Sequence, residues 1–255
     1  MTVKLERREE LAILTLDRPE ALNALTFEML PEIGAALDEV GGSDARALLV
    51  TGAGQKAFCA GADIKQLLGR PLVAQRRGAE MGQATFAKLD RLPMPSVALV
   101  NGFAFGGGLE LALACTFRLA TRNAKMGLPE VKLGLIPGYG GTQRLPRVVG
   151  EARALEMIMT GRSVGAEEAE RIGLVNRIVE GDALEAGAAF AREMTGYSLP
   201  VLEFARTAVR RALEVPFQEG LGVEADISTL AYRTEDSVEG MTAFVEKRKP
   251  TFRDR

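Results

Sequence analysis

The chain has 255 residues, 47% hydrophobic and 26% charged, with a net charge of −2. That composition suits a soluble chain long enough for one large domain, without general attraction to nucleic acid or acidic membranes. There is no histidine, and the two cysteines, Cys59 and Cys115, stand far apart outside any CxxC pattern; histidine-based zinc sites are excluded and a redox motif is disfavoured.

In chain order, Val3–Arg8 and Leu11–Asp17 are expected to be short strands around the charged turn Glu9-Glu10. The first ten residues lack the apolar core of a signal peptide, and no apolar run reaches the length of a membrane span. With reduced-type cysteine usage, this points to a cytoplasmic protein. Phe27–Val40 carries apolar residues at helical spacing, with Asn23 or Thr26 as its cap. Ala47–Thr51 reads as a strand buried on both faces. Ala74–Leu92 reads as a helix stopped by Pro93, and Pro95–Val100 as the next strand. Gly107–Cys115 is apolar on nearly every side, so it should be a central helix. Phe117–Ala120 is another strand. Gly140–Val149, Ala152–Thr160 and Ala166–Arg171 look helical, and Leu174–Val179 is the last strand. Beyond it only helices are expected, over Ala183–Thr195, Val201–Leu213, the neighbourhood of Val223–Tyr232, and Ser237–Lys247. Strands alternating with helices imply a parallel-sheet α/β core. The helical end, residues 196–255 after a core of 1–195, suits packing or self-association.

Two motifs mislead. Gly161-Arg162-Ser163-Val164-Gly165 matches the GxSxG of serine hydrolases, but no histidine exists to activate Ser163, so it is expected to be a loop before a helix. Gly52-Ala53-Gly54-Gln55-Lys56-Ala57 follows a strand and fits a dinucleotide fingerprint. Its continuation, Phe58-Cys59-Ala60-Gly61-Ala62-Asp63, is too rich in turn formers for the helix that fingerprint needs.

Without histidine, acid–base chemistry near neutrality falls to carboxylates. Two stand in apolar, glycine-containing contexts: Glu110 in Gly106-Gly107-Gly108-Leu109-Glu110 and Glu130 in Gly127-Leu128-Pro129-Glu130. A glycine triplet opening a helix leaves free N–H groups with the positive end of the helix dipole behind them, a place that stabilises an anion. The turn Ala60-Gly61-Ala62-Asp63 can supply a further N–H, and two converging donors would form an oxyanion hole. Taken singly, each feature also has a plain reading. The triplet serves as a tight turn, Glu110 complements the helix dipole, and Pro129-Glu130 starts a helix.

Taken together, these stretches resemble the crotonase (enoyl-CoA hydratase/isomerase) superfamily. The likeness rests on Phe58–Lys65, Asn101–Glu110, Gly127–Glu130, Gly134–Leu145 and Glu246–Pro250, with Arg18-Pro19 and Asn23-Ala24-Leu25 near the start. It implies a spiral of ββα units with a C-terminal helical region that builds homotrimers, usually paired into hexamers. The substrate would be an acyl-CoA thioester, coenzyme A entering as part of the substrate with no separate cofactor and no metal. The resemblance places the oxyanion hole at the N–H groups of Ala62 and Gly107. It assigns Ala60, Gly61, Asp63 and Ile64 to the CoA side of the site, and Gly106, Leu128, Pro129, Gly138 and Tyr139 to the substrate pocket. Lys247 or Lys249 would approach the CoA phosphates of a neighbouring subunit. Hydratases of the family carry both acids. By that pattern Glu110 takes the proton of the attacking water and Glu130 protonates C2, giving an enoyl-CoA hydratase of the β-oxidation type. The alternatives are a Δ3-Δ2-enoyl-CoA isomerase, which needs only the acid at Glu130, or another crotonase-type acyl-CoA lyase or hydrolase. More remote is an RNA-binding relative using Arg70, Arg76, Arg77, Lys88 and Arg91, a series that Glu80 and Asp90 interrupt. Leu128 and Tyr139 vary among relatives and carry no information on acyl length.

Overall fold

The computed structural model describes residues 2–255. An antiparallel hairpin, β1 (Val3–Arg8) and β2 (Leu11–Leu16), is followed by α1 (Met29–Gly41), β3 (Ala47–Gly52), β4 (Ala57–Cys59), α2 (Ile64–Leu67) and α3 (Leu72–Arg91). Then come β5 (Ser96–Val100), β6 (Phe103–Phe105), α4 (Gly107–Ala114), β7 (Phe117–Thr121) and β8 (Lys125–Gly127). After these run α5 (Gly141–Val149), α6 (Glu151–Thr160), β9 (Ser163–Gly165), α7 (Ala166–Arg171), β10 (Arg177–Val179) and α8 (Ala183–Arg192). Three helices close the chain, α9 (Leu199–Arg211), α10 (Phe217–Ala231) and α11 (Glu235–Glu246).

The strands form two sheets. Strands β1-β2-β3-β5-β7-β10 make a six-stranded sheet, parallel from β2 onward, and β4-β6-β8-β9 make a smaller one. The pairs β3/β4, β5/β6 and β7/β8 explain this. In each, the first strand joins the large sheet, the chain turns a corner, and the second joins the small sheet. Asn101 braces one corner by donating to the carbonyls of Gly52 and Gly54, both at 2.8 Å. Repeated with a helix after each pair, this is the ββα spiral.

The GxSxG segment is not a loop: Ser163–Gly165 is β9, antiparallel to β8, with Gly165 at the N-cap of α7. No helix follows Gly52–Ala57, which turns directly into β4. Thr26 does accept from the Met29 N–H at the start of α1 (3.2 Å), whereas Asn23 is no cap. Its buried amide ties the Arg18 N–H to the carbonyls of Ala53 and Ala57, pinning the segment after β2 to the β3–β4 corner.

The main core lies between the sheets and α1, α3 and α4. A second, smaller core sits on the other face of the large sheet, where α8 lays Ala188, Phe190 and Ala191 against Leu11, Val97, Leu99 and Leu119. As its composition dictates, α4 is buried along its whole length. The last helices pack back on the core at one end: Arg206 of α9 donates to the carbonyls of Leu92 and Met94, and Arg210 to that of Asp90. Much of α9–α11 still presents apolar side chains outward, including Phe217, Leu230, Met241 and Phe244, the last 85% exposed.

Candidate active site

The β6–α4 turn organises the site. Gly106 holds φ 49° and ψ −125°, a conformation open only to glycine, and its N–H donates to the Gly127 carbonyl (3.0 Å). This ties the start of α4 to the end of β8, so the segment carrying Glu130 runs beside the one carrying Glu110. A Cβ on Gly108 would lie 2.0 Å from the Cys59 carbonyl oxygen, so only glycine lets α4 press on β4 so closely.

Gly61 and Gly106 bring a second turn alongside: a Cβ on Gly106 would lie 3.8 Å from the Gly61 Cα. The segment after β4 is held by reciprocal bonds with Leu25, whose N–H donates to the Gly61 carbonyl and whose carbonyl accepts from Asp63 N–H, both at 2.8 Å. Ala62 lies between those two bonds, and Gly107 is the first residue of α4. Neither residue's N–H has an acceptor among the described residues. Two free donors on adjoining turns, one at the positive end of a helix, can hold an oxygen that gains negative charge.

The carboxylates differ in kind. Glu110, in the first turn of α4, is 2% exposed, and its Oε1 accepts from the N–H groups of Tyr139 and Gly141, both at 2.7 Å. Burial pushes its carboxyl up to about 7, the charge of Glu130 adds to the rise, and the backbone donors oppose it. Glu130 follows Pro129 at the start of a 3-10 helix, Glu130–Leu133. Its Oε1 lies 2.9 Å from where a Gly106 Cβ would stand, so the carboxylate faces the turn that opens α4. Its Oε2 is buried with no partner, and burial raises its carboxyl as well. A buried polar atom without a protein partner is uncommon in a native fold and calls for an explanation, a bound water or a catalytic role among them. The pair can therefore bind and polarise a water between an anchored carboxylate and an unpartnered one.

Of the residues picked out in the sequence, Ala62, Gly61, Gly106, Gly107, Glu110, Glu130 and Tyr139 come together around this turn, with Leu128 and Pro129 behind Glu130. Gly138 joins the wall through its carbonyl, which accepts from Gln83 of α3 (2.9 Å). Ala60 is tied to Leu22 through its N–H. Asp63 caps α2 and pairs with Arg18 at 3.4 Å, so its carboxylate is engaged structurally, while Ile64 is 43% exposed at the rim. Lys247 closes α11, and Lys249 borders a cleft with Arg46, Thr195 and Gly196. Of the basic series, Arg76 bonds Glu80 and Lys88 pairs with Asp38 on α3, and Arg70, just before that helix, lies over the Phe27 ring.

Sequence reasoning missed Gly141 and Gln83. Gly141 acts through its backbone, and its only trace in the sequence is the Gly140-Gly141 pair. Gln83 is an ordinary polar residue of an amphipathic helix until the fold brings Gly138 beside it.

The family model described as Enoyl-CoA hydratase/isomerase matches residues 6–255. A probable enoyl-CoA hydratase from Rhizobium meliloti (strain 1021) is 44% identical over 255 residues, covering 100% of this chain and 98% of the relative. A crotonyl-CoA hydratase from Syntrophomonas wolfei is 42% identical over 251 residues, covering 97% and 96%. The crystal structure of an enoyl-CoA hydratase from Bacillus anthracis superimposes with a TM-score of 0.95 at 36% identity, covering 100% of both chains.

Proposed function

The chain belongs to the enoyl-CoA hydratase/isomerase family, and from that membership we infer how its site works. The protein is an enoyl-CoA hydratase, adding water across the C2–C3 double bond of a 2-enoyl-CoA to give a 3-hydroxyacyl-CoA. The thioester oxygen sits on the N–H groups of Ala62 and Gly107, which stabilise it as it takes on enolate charge; such a donor is worth on the order of 10²–10³ in rate. A water lies between the carboxylates. Glu110, anchored through Oε1, takes its proton as the oxygen attacks C3, and Glu130 delivers a proton to C2 through its unpartnered oxygen. Coenzyme A is part of the substrate, and no other cofactor takes part.

The observation that carries this reading is the pairing of one buried carboxylate held by two backbone donors with a second whose buried oxygen has no partner. A double-bond isomerase needs one proton-carrying acid, in the place of Glu130; the prepared second acid, Glu110, favours hydration. Self-association as a trimer or hexamer belongs to the same reading, supported by the outward apolar side chains of α9–α11. So do a division at residues 195–196 between core and helical region, a cytoplasmic location and a place in β-oxidation. No helix among the described residues is long and apolar enough to cross a membrane.

Steady-state turnover of a 2-enoyl-CoA series, with a 3-enoyl-CoA included, tests the assignment. The expected result is rapid hydration of the 2-enoyl substrates. Rapid conversion of the 3-enoyl substrate without hydration would make the protein an isomerase instead.

A further inference from the structure

A cavity of about 1020 Å³ bordered by Tyr139 lies between α3, the end of α4, α5 and α9. The carboxylates do not line it. Its wall includes Ala87, Leu113, Val148, Leu202 and Val209, so much of it is apolar. Charged residues line it as well: Asp90 pairs with Arg144 and Arg210, and Arg118, Arg147, Arg206 and Glu214 stand beside them. In size, and in the apolar part of its lining, it suits an apolar ligand.

Tyr139 belongs to both spaces. Its N–H holds Glu110, and the residue also borders the cavity. One ring edge meets Gly107: a Cβ there would lie 3.2 Å from Cδ2. The opposite edge presses on Gly82 of α3, where a Cβ would lie 2.3 Å from Cδ1. The ring is thus wedged between two helices at positions where neither has a side chain. Phe86 packs against it edge-on at 5.7 Å, and the Gln83–Gly138 bond fastens the preceding residue to α3.

We propose that the Tyr139 ring is the end wall of the acyl pocket, restricting the enzyme to short 2-enoyl chains, and that the cavity it borders, open to solvent along α9 where Val209 is 72% exposed, becomes acyl space once the ring is removed. The inference rests on the hydratase reading. With the thioester oxygen on Gly107 and C3 facing the water on Glu110, the carbons beyond C3 run onto the ring that adjoins both residues. Removing the ring joins the two spaces, and each added methylene then passes from water into apolar surroundings.

The test is kcat/KM for 2-enoyl-CoA substrates of four to twelve carbons. Wild type should decline steeply beyond about six carbons, since a filled pocket leaves further methylenes no apolar place to go. In Tyr139→Ala the ratio of ten-carbon to four-carbon kcat/KM should rise on the order of 10–100-fold. Tyr139→Phe should keep the wild-type ratio, and adding Ala87→Phe to Tyr139→Ala, which occupies part of the cavity, should reduce the gain. If Tyr139→Ala does not fold, Tyr139→Leu shortens the plug while staying large and apolar, and should give an intermediate rise. A ratio within twofold of wild type in the shortened variant would overturn the proposal. So would a wild type that turns over ten-carbon and four-carbon substrates alike. Absence of four-carbon hydration in wild type would instead overturn the hydratase reading.

Discussion

Replacing Glu110 by glutamine should make the protein more stable relative to wild type as pH rises, while abolishing hydration. Glu110 is 2% exposed, and burial lifts its carboxyl from 4.5 to about 7. A carboxyl whose folded-state value lies above its unfolded one costs stability wherever the unfolded chain ionises it and the folded chain resists doing so. The cost is therefore absent below pH 4.5, grows between 4.5 and about 7, and is complete above. At about 1.4 kcal/mol per pH unit it reaches about 3 kcal/mol, of which roughly 2–3 kcal/mol develops between pH 5 and pH 8. A glutamine carbonyl can still accept from the Tyr139 and Gly141 N–H groups, so the anchoring bonds survive without a charge to desolvate. The assay is urea denaturation of both proteins at pH 5 and pH 8, at equal protein concentration because the chain is expected to self-associate. Wild type should lose about 2–3 kcal/mol more than Glu110→Gln between the two conditions. Parallel losses would refute the reasoning, since Glu110 would then ionise as readily in the folded as in the unfolded chain.

Other consequences follow from the same geometry. Glu110→Gln should retain conversion of a 3-enoyl-CoA to its 2-enoyl isomer while losing hydration, because Glu130 alone can carry a proton between C2 and C4; equal loss of both reactions, read by product analysis, would contradict the division of roles. Gly106→Ala should cost about 1–3 kcal/mol in backbone strain and displace Glu130, whose Oε1 lies 2.9 Å from the added Cβ, so urea midpoint and crotonyl-CoA turnover should fall together. Asn23→Ala leaves the Arg18 N–H and two carbonyls without their partner. At about 1–3 kcal/mol for a stranded buried group, a thermal or urea midpoint close to wild type would contradict the bridging role.

The long elements were legible in the sequence because their patterns run for several turns or alternations, as in α1, α3 and the strands of the large sheet. The small sheet was not. Strands β4, β6, β8 and β9 have three residues each, too few for a period to show, and their glycine-rich corners read as loops. Glu110 and Glu130 stood out because carboxylates are rare in apolar surroundings and histidine is absent. How each carboxyl is held was invisible, since the donors are backbone N–H groups 29 and 31 residues beyond Glu110 and any residue but proline could supply them. Asn23 read as a helix cap because asparagine favours caps, but the fold gives its amide three partners across a corner. Tyr139 carried no chain-length signal in the sequence, because its meaning depends on Gly82, Gly107 and a cavity that exist together only in the folded chain.

If Glu130 moves the proton at C2, crotonyl-CoA hydration by Glu130→Gln should fall on the order of 10²–10⁴-fold in kcat, with the folded state intact and the 3-hydroxyacyl-CoA product still bound. Turnover near that of wild type in the folded variant would remove Glu130 from the mechanism.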